Sequence, residues 1–281
     1  MKNGTIWLLL NYAIDSDLRA SIPMKKIVLF RISSKGYPKV KVDGISKFDS
    51  LNNLQASFPG WEFICVADNC DQPLLDRLHS DYRFDQIVET QLGNPGSFWK
   101  LYEMALESTQ DDDVVYFIED DYMHLPGSPE AILEGLQYFD YVTLYDHPDK
   151  YTLSTCAINP YAKRNRFSES SELVLGEHHV WRTSNSTTMT FAVTGKTLRE
   201  DSDIWSMTKT AQRDFDFDIF CVLTKQSTLL KSRFLKQLPL KRRFSSKARR
   251  YLGIPIPGLA MHLEAAYLNT RERKRFNLPP A

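Results

Sequence analysis

Four times between Lys26 and Asp120 an apolar run gives way to polar residues: "KIVLFRIS" (26–33), "WEFICVADN" (61–69), "FDQIVETQ" (84–91) and "DDVVYFIED" (112–120). Helical spacing fills the three gaps, in "ISKFDSLNNLQASF", "DQPLLDRLHSDY" and "GNPGSFWKLYEMALES". Short runs rich in β-branched and aromatic residues, separated by helices, predict parallel strands joined by crossovers. The fold class expected is therefore α/β, a three-layer α/β/α arrangement around a mostly parallel sheet. Asp71 is the expected N-cap of the second helix, with Pro73 in its first turn. A Gly/Pro loop opens the third, with Ser97 as its cap. Ligands of such sheets bind beyond the carboxyl ends of the strands. "RISS", "ADN" and "EDD" all stand at those ends, so three polar strand ends mark one edge as a site.

Past Pro126 the pattern loosens. "SPEAILEGLQYF" reads as a helix, "DYVTLYD" as a strand, and residues 147–181 as polar loops over the sheet edge. "NSTTMTFAVTGKTLRED" predicts a strand running into a helix, and "DFDFDIFCVLTK" a helix. With no internal repeat and no linker, one domain over residues 24–270 is expected, its halves at 24–125 and 126–270. Residues 1–23 would be an appendage and 271–281 a tail. "IWLLLNYAI", nine residues long, is too short to span a bilayer and lacks a cleavage site after it.

Charge excludes one class of partner. Thirty-five basic and thirty-five acidic residues cancel, so a polyanion has no overall field to meet, and nucleic acid is not an expected partner. The basic residues do cluster, in 225–250, where "KSRFLKQLPLKRRFSSKARR" interleaves them with apolar ones. That segment suits either a solvated basic face or peripheral contact with an anionic membrane surface. Four cysteines without a CxxC pair favour a reducing, cytoplasmic setting with the thiols buried.

In "VVYFIEDDYMHLPG" an apolar strand ends on three consecutive acids, Glu119, Asp120 and Asp121. Adjacent carboxylates repel and resist desolvation, and a hard divalent cation would remove the conflict. Glu119 and Asp121, two apart, would share a ligand while Asp120 points elsewhere and supports the turn. A solvated acidic turn is the alternative.

"VYFIEDDYMHLPGS" resembles the acidic metal motif of nucleotide-sugar glycosyltransferases of the GT-A fold. The ordered set "RISSKGYPK", "ADNC", "GNPGSF", "EDDY", "TLYDHPDKY" and "NSTTMTF" is similar to bacterial glycosyltransferase-like proteins of surface-polysaccharide synthesis, over roughly residues 25–265. The resemblance implies a metal-dependent hexosyltransferase of the inverting kind. It would move a sugar from a nucleotide diphosphate-sugar to a glycan or lipid-linked acceptor. It implies that Asp121 binds Mn²⁺ or Mg²⁺ and that Glu119, standing where Asp is usual, contacts the ribose or a metal-bound water. His262 in "PGLAMHLE" takes the place of a late metal-binding His, and an imidazole among carboxylates suits Mn²⁺ better than Mg²⁺. Arg31, Ser33, Lys35, Asp68, Asn69, Asn94, Ser97, Glu119 and Asp120 would hold the nucleotide sugar. Arg31 and Lys35 would face the diphosphate. "RDFDFD" sits where the family places its base, first Asp214 and then Asp216, with helix-end acids as the alternative. A phosphoesterase or nucleotidyltransferase, and a binding protein without turnover, are the competing readings.

Overall fold

A computed structural model describes residues 23–34, 41–151, 169–210, 216–226, 239–265, 268 and 270–278. Among these residues nine strands form one sheet in the order β3-β2-β1-β4-β9-β6-β10-β8-β7. These are β1 (Lys26–Ile32), β2 (Glu62–Asp68), β3 (Gln86–Thr90), β4 (Val114–Glu119), β6 (Tyr141–Val142), β7 (Leu173–Leu175), β8 (Val180–Ser184), β9 (Phe191–Thr194) and β10 (Leu252–Ile256). β5 (Tyr122–His124) and β11 (Ala260–His262) form a separate two-stranded ribbon.

The expected α/β class is the observed one. β3, β2, β1 and β4 pair in parallel through right-sized crossovers, the helices Lys47–Ser57, Gln72–Asp81 and Gly93–Ser108. β9 then runs antiparallel to β4 and to β6, while β6 and β10 pair in parallel and β10, β8 and β7 pair antiparallel. Along β1 the side chains alternate between two cores. Val28, Phe30 and Ile32 pack with Leu51, Leu54 and Phe58 on one face. Ile27 and Leu29 pack with Phe98, Leu101 and Tyr102 on the other. That two-residue period puts helices on both faces and makes three layers.

The helix starts follow local chemistry. Ser46 and Asp49 form a capping box at Lys47, and the Asp71 side chain accepts from the Leu74 amide at 3.1 Å. Ser97 does not cap. The helix begins four residues earlier, at Gly93, whose φ of +73° a glycine takes without strain. Residues 147–181 are also not all loop, since β7 and β8 add two strands to the sheet edge there. Short strands with mixed polarity give little periodic signal.

Among the described residues no helix is long and apolar enough to cross a membrane. Residues 227–238 of the basic segment lie outside the described residues, as does Cys156. At the segment's end Arg250 is tied to Asp140, Glu200 and Asp201, and Lys247 to Asp203. Their charge is spent within the protein. Cys65 and Cys221 are buried and Cys70 half-buried, all three as free thiols.

Candidate active site

β1, β2 and β4 end side by side, and beyond them opens a cleft of about 480 Å³. Arg31, Ser33, Asp68, Asn69, Asn94, Ser97, Glu119, Asp120, Asp121, Asp216 and His262 all line it. Lys35 and Asp214 lie outside the described residues.

The three consecutive acids diverge and each meets its own base. Arg31 and Glu119 are register partners on adjacent parallel strands, so their side chains leave the sheet on the same face and form an ion pair. Arg31 is buried there, and its Nη1 also donates to the Asn94 carbonyl at 2.6 Å. Asp120 points to the first turn of the helix Lys47–Ser57, where Lys47 Nζ donates to its Oδ2 at 3.0 Å. Burial pushes the Asp120 carboxyl up, against the pull of that lysine. Asp121 faces the ribbon, where Lys41 Nζ contacts its Oδ2 and His262 Nε2 lies 2.9 Å from the same oxygen. Burial alone would raise this carboxyl too, but His262 and Lys41 hold it well below the usual range. Local bases therefore relieve much of the repulsion that the sequence alone would assign to a cation.

The ribbon explains how residues far apart in sequence meet. His262 pairs with Tyr122 in antiparallel register, and the two rings stack at 4.6 Å and 2°. The Leu263 amide donates to the Asp121 carbonyl at 2.8 Å. On its other side Lys41 bridges to Glu264, and the Val42 amide reaches the Leu263 carbonyl at 3.2 Å. His262 and Glu264, two apart in extended chain, project to one face. As a result Asp121, His262 and Glu264 offer donor atoms all within 4.8 Å of one another.

This set fits a divalent ion. It supplies one imidazole nitrogen and two carboxylates, and Asp121 Oδ1 is buried without a hydrogen-bond partner. Glu119 is not among the gathered donors, because Arg31 holds it on the other side of the turn. Glu264 was not singled out in the sequence. Its signal was the "HLE" spacing in an extended segment, meaningful only once the pairing with β5 is known.

No family model matches the chain, and no curated protein is significantly similar to it. Some solved structures are similar to it at low identity. One is CMP:2-keto-3-deoxy-manno-octonic acid synthetase complexed with CTP, with 11% identity over 82% of this chain and 88% of that one, TM-score 0.43. Another is the galactosyltransferase LgtC in complex with donor and acceptor sugar analogs, with 10% identity over 91% and 97%, TM-score 0.42. S. aureus TarS 1–349 in complex with UDP-GlcNAc has 17% identity, covering 90% of this chain and 64% of its own, TM-score 0.42.

The residues expected to hold the nucleotide sugar divide by what they already hold. Asp68 Oδ1 accepts from Thr90 Oγ1 at 2.8 Å and from the Leu92 amide at 2.7 Å, while Oδ2 accepts from Asn69 Nδ2 at 2.8 Å. It secures the loop entering the helix Gly93–Ser108. Asn69, at φ +51°, turns the chain into the cleft mouth. Ser97 Oγ donates to the Asn94 carbonyl at 3.1 Å, and the Ser33 amide donates to Asp120 at 3.4 Å. Asp216 begins the helix Asp216–Leu223 at the cleft wall.

Proposed function

We propose that the protein transfers a sugar from a nucleotide diphosphate-sugar to a hydroxyl of a glycan or lipid-linked acceptor, assisted by a divalent metal. One observation carries this reading: Asp121, His262 and Glu264 offer donor atoms within 4.8 Å of one another, and Asp121 and His262 line the same cleft as Arg31, Asn69 and Asn94. A metal bound there would neutralise charge on the departing diphosphate. Asp121, His262 and Glu264 would hold it, with Mn²⁺ favoured over Mg²⁺ by the imidazole. Arg31, anchored by Glu119 and the Asn94 carbonyl, stands at the strand end with donor hydrogens in a fixed orientation for phosphate oxygens. Lys47 adds a second positive group at the same edge, and Asn69 and Asn94 supply polar contacts for the nucleoside.

The acceptor's proton needs a carboxylate on the far side of the anomeric carbon if the reaction inverts. The "RDFDFD" acids serve this role, Asp214 first and Asp216, in the cleft wall, second. The acceptor would be a polysaccharide or lipid-linked, with the basic segment 225–250 as a peripheral membrane contact in a cytoplasmic setting, apart from Lys247 and Arg250, whose charges are paired within the protein.

Nucleotidyl transfer is the second reading. Arg31, Lys41 and Lys47 give the cleft three cations, which suits a triphosphate as well as a diphosphate. Two assay arms separate them. Purified protein is incubated with a panel of nucleotide sugars, or with nucleoside triphosphates and sugar 1-phosphates, each with Mn²⁺ or EDTA. Mn²⁺-dependent release of nucleoside diphosphate from a nucleotide sugar supports the glycosyltransferase. Pyrophosphate release in the second arm alone would replace it.

A further inference from the structure

We propose that Lys41 is the resident counter-cation of the Asp121–His262–Glu264 cluster, and that a divalent metal enters only as the Lys41 ammonium leaves. This rests on the metal half of the function proposed above and adds how the site is filled. Lys41 Nζ contacts Asp121 Oδ2, the oxygen that His262 Nε2 also reaches at 2.9 Å. Glu264 Oε1 lies 3.4 Å from that same nitrogen. The ammonium thus stands among the donors a metal would use. It has three donor hydrogens and no lone pair, so it neutralises carboxylates without acting as a ligand. A dication and an ammonium on one carboxylate oxygen repel each other strongly at that range, so the two occupancies exclude one another.

The exchange needs little motion. The Lys41 backbone is fixed by its bridge to Glu264 and by the adjacent bond from the Val42 amide to the Leu263 carbonyl. Its side chain is 39% exposed, whereas those of His262 and Glu264 are 7% and 9% exposed. The donors are therefore held, and the flexible four-carbon stem of Lys41 has an open way out. Asp121 Oδ1, buried and without a hydrogen-bond partner, is the lone-pair donor that Lys41 leaves unused. Once displaced, the ammonium stays at the cleft, where a phosphate oxygen can take it up. Metal entry and diphosphate binding would then favour one another through Lys41.

The test uses metal-stripped full-length protein titrated with MnCl₂, followed by calorimetry and by the electron paramagnetic resonance signal of free Mn²⁺. Lys41→Met should bind Mn²⁺ more tightly than wild type, by roughly 5- to 150-fold, the usual span of coupling between two linked events. Lys41→Arg keeps the charge and should stay near wild type. In EDTA, Lys41→Met should melt below wild type and recover on adding Mn²⁺. Lys41→Gln, neutral but polar, repeats the titration if the methionine variant folds poorly. Equal or weaker Mn²⁺ binding by the neutral variants overturns the exchange while leaving the metal site standing. No Mn²⁺ binding by any variant overturns both. Neither readout needs a sugar donor, so failure of the transferase assignment would be seen separately.

Discussion

Between Glu119 and Asp121 the side chains leave the backbone in three directions, and each meets a different base. Only the Asp121 branch also gathers an imidazole and a second carboxylate. Asp121→Asn should therefore abolish Mn²⁺ binding in calorimetry and lower turnover by at least about a hundredfold, the scale of losing a charge-stabilising group. Asp120→Asn, altered one residue away but paired with Lys47, should leave Mn²⁺ binding unchanged. Equal loss in both variants would mean that the turn, not the ligand, had been damaged. For the base, Asp214→Asn and Asp216→Asn should differ, one of them losing about 10²- to 10⁴-fold in kcat. Nucleotide affinity measured directly should hold in both, and small matching losses would reduce the pair to helix-end acids. At this scale the sequence was readable where residues are neighbours. Asp121 declared itself by its place after an apolar run, and His262 by resemblance. Glu264, Lys41 and Lys47 did not, because their roles depend on the β5–β11 register and on where a helix starts. Lysines carry no spacing signal of their own.

The hairpin of β7 and β8 shows what escapes at the level of elements. Its strands are short, and Leu173 and Leu175 are exposed, so neither alternation nor apolar content marks them. They are fixed from outside, by a residue on the helix Ser128–Gly135. Glu134 accepts from His179 Nδ1 at 2.6 Å, from the His178 amide at 3.0 Å, and from the indole of Trp181 at 3.4 Å. Burial would raise this carboxyl, yet these donors hold it at about 2, below its ordinary 4.5. A depressed acid stabilises the fold above the unfolded value and ceases to do so as it protonates. The contribution should therefore be complete above about 4.5 and lost as pH falls from there toward about 2. Glu134→Gln should cost about 2 kcal/mol at pH 7, the worth of a charge-assisted hydrogen bond. It should also flatten the stability profile across that acid window in denaturant titrations. An unchanged profile would show that the hairpin does not depend on this carboxylate. β1, β2 and β4, by contrast, were legible, because parallel strands buried on both faces read as continuous apolar runs.

Across the whole molecule, the two halves expected of the chain meet inside one sheet. β9 lies between β4 from the first half and β6 from the second, pairing Val193 with both Val115 and Tyr141. Phe191, on the same strand, is fully buried. Its ring stacks on Trp205 at 5.0 Å and packs against Phe117 of β4 and Phe220 of the helix Asp216–Leu223. A boundary between independent domains would carry few crossing contacts, whereas here the boundary runs through the core. Phe191→Ala should cost about 3–5 kcal/mol, the range for emptying an aromatic site in a packed interior. If the described core unfolds as one unit, that loss should be felt equally on both sides of β9. Hydrogen exchange followed by mass spectrometry, over rising denaturant, reads this strand by strand. Amides of β1 and of β10 should lose protection together, at the same lowered denaturant concentration in the variant. Retained protection in β1 while β10 exchanges would instead divide the chain into two cooperative units and place their seam at the β4–β9 pairing.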